Sequence, residues 1–130
     1  MTTTENPTDV ATLTAAVDTN LAAYGNPDPP SRRDQLDTAW RPDGQLVDPP
    51  LDGAGVEGID ALMAAVQSQF SGHTFRRTSA LDTHHGFARY SWALVGPDGQ
   101  VAVEGLDVAE FDDTGRLARI VGFMGPLPEA

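Results

Sequence analysis

The sequence predicts an α+β domain, and three observations carry that prediction. Apolar residues recur at helical spacing up to Phe70; beyond it the period drops to two; and turns rich in Gly, Pro and Asp cut the second half into four strands. Helices grouped ahead of strands indicate helices packed on a sheet, not alternating βαβ units. Three amphipathic helices need an apolar surface to cover. One face of a curved, largely antiparallel sheet supplies it and leaves space for a cavity open at one end.

The first helix is announced by Asn6-Pro7-Thr8-Asp9. Asn6 can cap, Pro7 suits the first turn, and Asp9 falls at the capping-box position. Val10, Leu13, Val17, Leu21 and Tyr24 then define one face, on which Asn20 also falls. Gly25 and "NPDPP" stop this helix. A short second helix starts at Ser31 and turns Leu36, Ala39 and Trp40 inward. "RPDG" reads as a turn and "QLVDPP" as a short strand ended by Pro49 and Pro50. The third helix spans about Gly58 to Phe70, with Ile59, Leu62, Met63, Val66 and Phe70 as its buried stripe. "HTFRRTSA", "GFARYSWALV", "VAVEGLDVAEF" and "RLARIVGFM" are the four later strands. "LDTHH", "GPDGQ" and "DDTG" separate them, the last two as hairpin turns. No repeat or linker interrupts the pattern, so 1–130 reads as a single domain, with residues 1–6 expected to be disordered.

Composition narrows the partners. The net charge is -11, and all eight cations are arginine. Such acidity disfavours nucleic acid and anionic membranes, which need clustered cations. Without cysteine there are no disulfides or thiolates. "MTTTENPTDV" lacks the features of a signal peptide, and no apolar run is long enough to span a membrane, so a cytoplasmic location is expected.

Asp107 is the residue that most needs explaining. It lies within a strand, where aspartate is depleted, and shares a face with Val103, Gly105, Ala109 and Phe111. A carboxylate on an apolar face is costly unless paired, hydrogen-bonded or protonated. It is either an edge carboxylate in water or an acid held in a pocket, and Gly105 beside it could leave room for a ligand. Asp48, ahead of two prolines, is either a turn-initiating residue or a second pocket carboxylate. Two carboxyl groups in unlike surroundings can divide the work, one as base and one as neutral donor.

Asn20 interrupts an apolar face and must find a partner, structural or ligand. Trp40, Phe70, Tyr90, Trp92 and Met124 read as core, and some could wall a cavity. His84 and His85 are neighbours whose side chains should diverge, and His73 is remote, so no metal site is expected. Arg76, Arg77 and Arg89 should solvate a sheet face or pair with the acidic surplus.

The order of elements, with "VDPP", "LDVAEFDDTGRL" and the closing "RIVGFMGPLP", resembles the nuclear-transport-factor-two-like superfamily, in its SnoaL-like polyketide-cyclase and ketosteroid-isomerase branches. The resemblance covers nearly the whole chain. It implies a cone, a strongly bent sheet wrapped around the helices and enclosing a deep apolar pocket. Asp48 followed by Pro49 matches the isomerases' proton-shuttling base, and Asp107 followed by "VAEFDDTG" matches their protonated acid. Their tyrosine on the first helix has no match in the best alignment, which puts Asn20 there as the oxyanion donor.

The implied function is a cofactor-independent isomerase or aldol cyclase acting on a polyketide- or steroid-like carbonyl compound. Asp48 and Asp107 would be catalytic. Asn20, Trp40, Phe70, Tyr90, Trp92, Gly105 and Met124 would contact substrate, and no metal would take part. The alternative is a non-catalytic small-molecule-binding or dimeric module of the same fold. A homodimer is expected in either case, because Leu106, Val108, Val121 and Phe123 would leave an apolar patch on the outer sheet face.

Overall fold

A computed structural model describes residues 8–49 and 51–130. The expected cap Asn6, Pro7, Pro50 and the expected disorder of 1–6 lie outside the described residues. Three helices, α1 (Val10–Tyr24), α2 (Pro29–Ala39) and α3 (Gly55–Gln69), pack on a sheet of seven strands. The strands are β1 (Trp40–Asp48), β2 (Leu51–Ala54), β3 (Thr74–Arg77), β4 (Asp82–His84), β5 (Phe87–Val95), β6 (Val101–Phe111) and β7 (Leu117–Met124). Their order is β2-β1-β7-β6-β5-β3, with β4 also paired to β5. Every pairing is antiparallel except β1 with β7, so the curved, unclosed sheet is mixed. This is the α+β cone expected from the sequence.

Local chemistry explains the elements. Asp9 caps α1 by accepting the Thr12 N–H at 2.9 Å. Asp28 caps α2 through the Ser31 N–H, and prolines at its first positions cost no hydrogen bond there. The "DPP" that stops α1 therefore also starts α2, earlier than Ser31. α3 likewise begins at Gly55, not Gly58. β2 and β4 are strands beyond those expected from sequence. Each is short, and β2 follows a proline turn while β4 lies within the "LDTHH" stretch read as a separator, so local pattern alone hides both. β1 runs back to Trp40 because "RPDG" forms a bulge in its pairing with β7. Gly44 is needed in that bulge, since a Cβ there would overlap the Trp40 ring.

The core lies between helices and sheet, with Val17, Leu36, Trp40, Leu46, Ile59, Met63, Tyr90, Leu117 and Ile120 almost wholly buried. Val10, expected on the buried face of α1, is exposed instead. Arg77 pairs with Asp18 across β3 and α1, and Arg89 with Asp82. No helix among the described residues is long and apolar enough to cross a membrane.

Candidate active site

Asp107 sits at the centre of the sheet, on the inner face of β6, and is 7% exposed. Tyr90, directly opposite it on β5, donates its hydroxyl to Asp107 Oδ2 at 2.9 Å. Trp92, two residues farther along, donates Nε1–H to Oδ1 at 2.9 Å. Trp92 pairs with Gly105, and a Cβ at Gly105 would overlap the indole and the Phe123 carbonyl. Gly105 therefore does not open space for a ligand. It lets the Trp92 ring lie across β6 and reach the carboxyl group.

Asp48 ends β1, separated from β6 by β7, and its side chain leans over Gly122. A Cβ on Gly122 would stand 2.9 Å from Asp107 Oδ1 and 3.1 Å from Asp48 Oδ1. The two oxygens thus lie within about 6 Å of each other, close enough for one charge to raise the other group's pKa. Gly122 is a site residue that sequence reading missed. Its signal was faint: a glycine between apolar residues of a strand, after Ile120 and Val121 and before Phe123.

Tyr24 completes the cluster. Tyr24, Leu21, Leu46, Asp48, Phe75, Trp92, Asp107, Ile120 and Gly122 surround one cavity of about 10 Å³, the space of a single water. Tyr24 packs against Phe75 at 4.5 Å between centroids with the planes tilted by 53°, and Phe75 meets Trp92 edge-on at 5.2 Å. Beside Asp107 the deep apolar pocket implied by the resemblance is therefore reduced to a water-sized space with these three rings in its lining. Of the expected walls, Trp92 borders the cavity. Trp40 is bonded to Asn20, Phe70 caps the far end of α3, Tyr90 stands behind Asp107, and Met124 is exposed. Asn20 Oδ1 accepts the Trp40 indole N–H at 2.8 Å and does not border the cavity. The phenol from α1 is Tyr24, one turn beyond Asn20.

The electrostatics set the two acids apart. Burial pushes Asp107 up to about 7, against the pull of its hydrogen bonds from Tyr90 and Trp92, and the charge of Asp48 adds to the rise. Asp48 is half-buried and is also raised by burial; its Oδ1 is buried without a hydrogen-bond partner. The Tyr24 phenol is raised by burial, and then by the charges of Asp107 and Asp48, so it stays a neutral donor. The arrangement has a carboxylate with a free lone pair, an acid poised near neutrality and a phenol around one apolar point. That is the equipment for moving a proton beside a developing oxyanion. Among the described residues, no group of three or more His, Asp or Glu gathers to hold a metal ion.

No family model and no curated protein matches the sequence. Solved structures do. A proposed isomerase of the SnoaL-like family from Agrobacterium tumefaciens is 34% identical, with 89% of this chain and 99% of that one covered and a TM-score of 0.82. A proposed SnoaL-like polyketide cyclase from Jannaschia sp. shares the fold at 15% identity and TM-score 0.72, over 95% of this chain and 91% of that one. A protein with a ketosteroid-isomerase-like fold from Catenulispora acidiphila, solved with trimethylamine, does so at 16% identity and TM-score 0.68, over 83% of each chain.

Proposed function

The chain belongs to the SnoaL-like family, and from that premise we propose that it is a cytoplasmic, cofactor-independent isomerase or aldol cyclase of a polyketide- or steroid-like carbonyl compound. The observation that carries this reading is the confrontation of Asp48 and Asp107 across Gly122. Asp48, the better solvated carboxylate, takes a proton from the carbon beside the substrate carbonyl. The electron pair moves onto oxygen, where the Asp107 acid and the Tyr24 phenol donate to it. Asp48 then returns the proton to another carbon, which completes an isomerisation. In a cyclisation the enolate carbon instead attacks a second carbonyl of the same substrate, and the new alkoxide takes the proton. A ring-sized substrate has to part the Tyr24–Phe75–Trp92 cluster to enter.

Conversion of a β,γ- to an α,β-unsaturated ketone, followed by enone absorbance, tests this. Asp48→Asn is expected to lower kcat by at least about 100-fold, the usual worth of a positioned base. Absence of turnover in the wild type, together with no binding of a phenolic enolate mimic, would sink the reading.

The lining of the cavity favours a second reading, in which a compact molecule binds without reacting and parts the aromatic cluster less than a ring-sized substrate must. Three aromatic rings and two carboxyl groups are the partners an alkylammonium ion needs, and the Catenulispora structure holds trimethylamine. Calorimetry with trimethylammonium separates the readings: binding abolished by Asp48→Asn, with no ketone turnover, supports the second.

On either reading we propose a homodimer through the outer sheet face. Leu106, Val108 and Phe123 are 38%, 38% and 55% exposed there, with Val121 half-buried among them. Light scattering at tens of micromolar should give twice the chain mass, and Phe123→Asp should give the monomer.

A further inference from the structure

The β4–β5 hairpin carries two imidazoles that the acid site does not use. His84 ends β4, Phe87 starts β5, and the two residues pair directly, leaving His85 and Gly86 as a two-residue turn. Their φ values are +51° and +81°, and His85 is the one non-glycine residue with positive φ among those described. Positive φ at both central positions is the backbone of a type I′ turn, the tightest and best-defined hairpin connection.

In a flat strand neighbouring side chains would point to opposite faces, which is the divergence expected from sequence. Here the chain reverses at His85, so that alternation no longer applies. The rings converge: Nδ1 of His84 lies 3.1 Å from Nδ1 of His85, with the ring planes at 79°. Both residues are exposed, and among the described residues no carboxylate hydrogen bond holds either ring.

We propose that this pair is a binding site for a divalent transition-metal ion, Cu²⁺ or Ni²⁺, held by the two Nδ1 atoms. Imidazole nitrogens bind such ions at about 2.0–2.1 Å, and two nitrogens at the observed separation subtend about 100° at that distance. That is a cis pair in the tetragonal geometry Cu²⁺ and Ni²⁺ favour, and Cu²⁺ heads the affinity order for nitrogen sites. The ring whose Nδ1–H donates to its neighbour moves that proton to its other nitrogen, which frees both Nδ1 lone pairs, and a small rotation of the two exposed rings turns them from each other toward the ion. The two rings border a surface recess of about 300 Å³ with Thr83, Phe111 and Asp112, which gives water room to complete the shell. The strongly acidic chain raises the local concentration of cations.

Titration of the full, untagged chain with Cu²⁺, followed by electron paramagnetic resonance and calorimetry, tests the site. One ion per chain with two coordinated nitrogens is expected. His84→Ala and His85→Asn should each weaken binding by more than the roughly tenfold cost of losing an outer-shell partner. Asparagine tolerates positive φ, so His85→Asn keeps the turn, and an unchanged thermal melt confirms that it has. The third histidine provides the control: His73→Ala should leave the affinity unchanged. Copper binding that survives His84→Ala, depends on His73, or shows one nitrogen overturns the proposal.

Discussion

At Asn20 and Trp40 the polar interior is finished: the indole N–H meets the amide oxygen at 2.8 Å, and both residues are 1% exposed. One helical turn away, around Tyr24, it is not. Asp48 keeps a buried oxygen without a partner, and Asp107 is an acid held near neutrality by burial that its two hydrogen bonds do not offset. Both clusters put polar atoms in an apolar cone, but only the second leaves capacity for something else to bind. A satisfied buried polar pair is structural, and an unsatisfied one beside a cavity is where a ligand can be recognised.

Raising the pH should strain the second cluster most, and the effect is the largest expected. A folded-state value of about 7 for Asp107 stands above the unfolded value of about 3.9. The stability linked to this group is therefore fully present below pH 3.9 or so and lost as pH rises through about 7, by about 4 kcal/mol at most. Asp107→Asn should flatten that decline. Denaturant titrations of both proteins at pH 4.5 and pH 8 check it, and parallel pH slopes would mean an ordinary carboxyl group.

Breaking the finished cluster comes next. Asn20→Ala strands the Trp40 N–H and leaves a cavity, at a cost of about 2–4 kcal/mol by chemical denaturation. Ligand binding in the folded fraction should be unchanged. Loss of binding without loss of stability would reassign Asn20 to the site.

Gly122→Ala pushes a methyl group between the two carboxyl groups and should cost about 1–3 kcal/mol. Calorimetry with the phenolic enolate mimic should show no uptake, whereas unaltered binding would place the ligand elsewhere. The smallest effect is expected from Asp48→Asn, which should change stability by less than about 1 kcal/mol because the amide is nearly isosteric. It removes the charge that raises Asp107, so the Trp92 indole N–H resonance, bonded to Asp107, should titrate at lower pH.

The sequence revealed the two acids because a carboxylate in an apolar strand and an aspartate before proline are both locally odd. It placed Asn20 and Tyr24 on one helical face, yet periodicity cannot say which of them reaches a cavity. That depends on how far α1 slides along the sheet. Gly105 and Gly122 look alike in sequence, but the space over one is filled by Trp92 and over the other is shared by two acids. The extra strands β2 and β4 were hidden for a related reason. Their extended conformation comes from partners across the sheet, not from their own composition.

The single parallel pairing, β1 against β7, also governs the order in which the chain can fold. Leu46 must find Ile120, so β1 has no neighbour on that side until nearly the whole chain is available. Asp48 is held beside Gly122 by the same late pairing, whereas the β5–β6 and β6–β7 hairpins bring Trp92, Asp107 and Gly122 together from nearby sequence. Contacts of such long sequence separation slow folding and expose unpaired edges during synthesis. A nascent chain halted before Leu117 would carry the helices and both acids with β1 open along the edge meant for β7. It would be prone to aggregate, and its two carboxyl groups would not yet share a cavity.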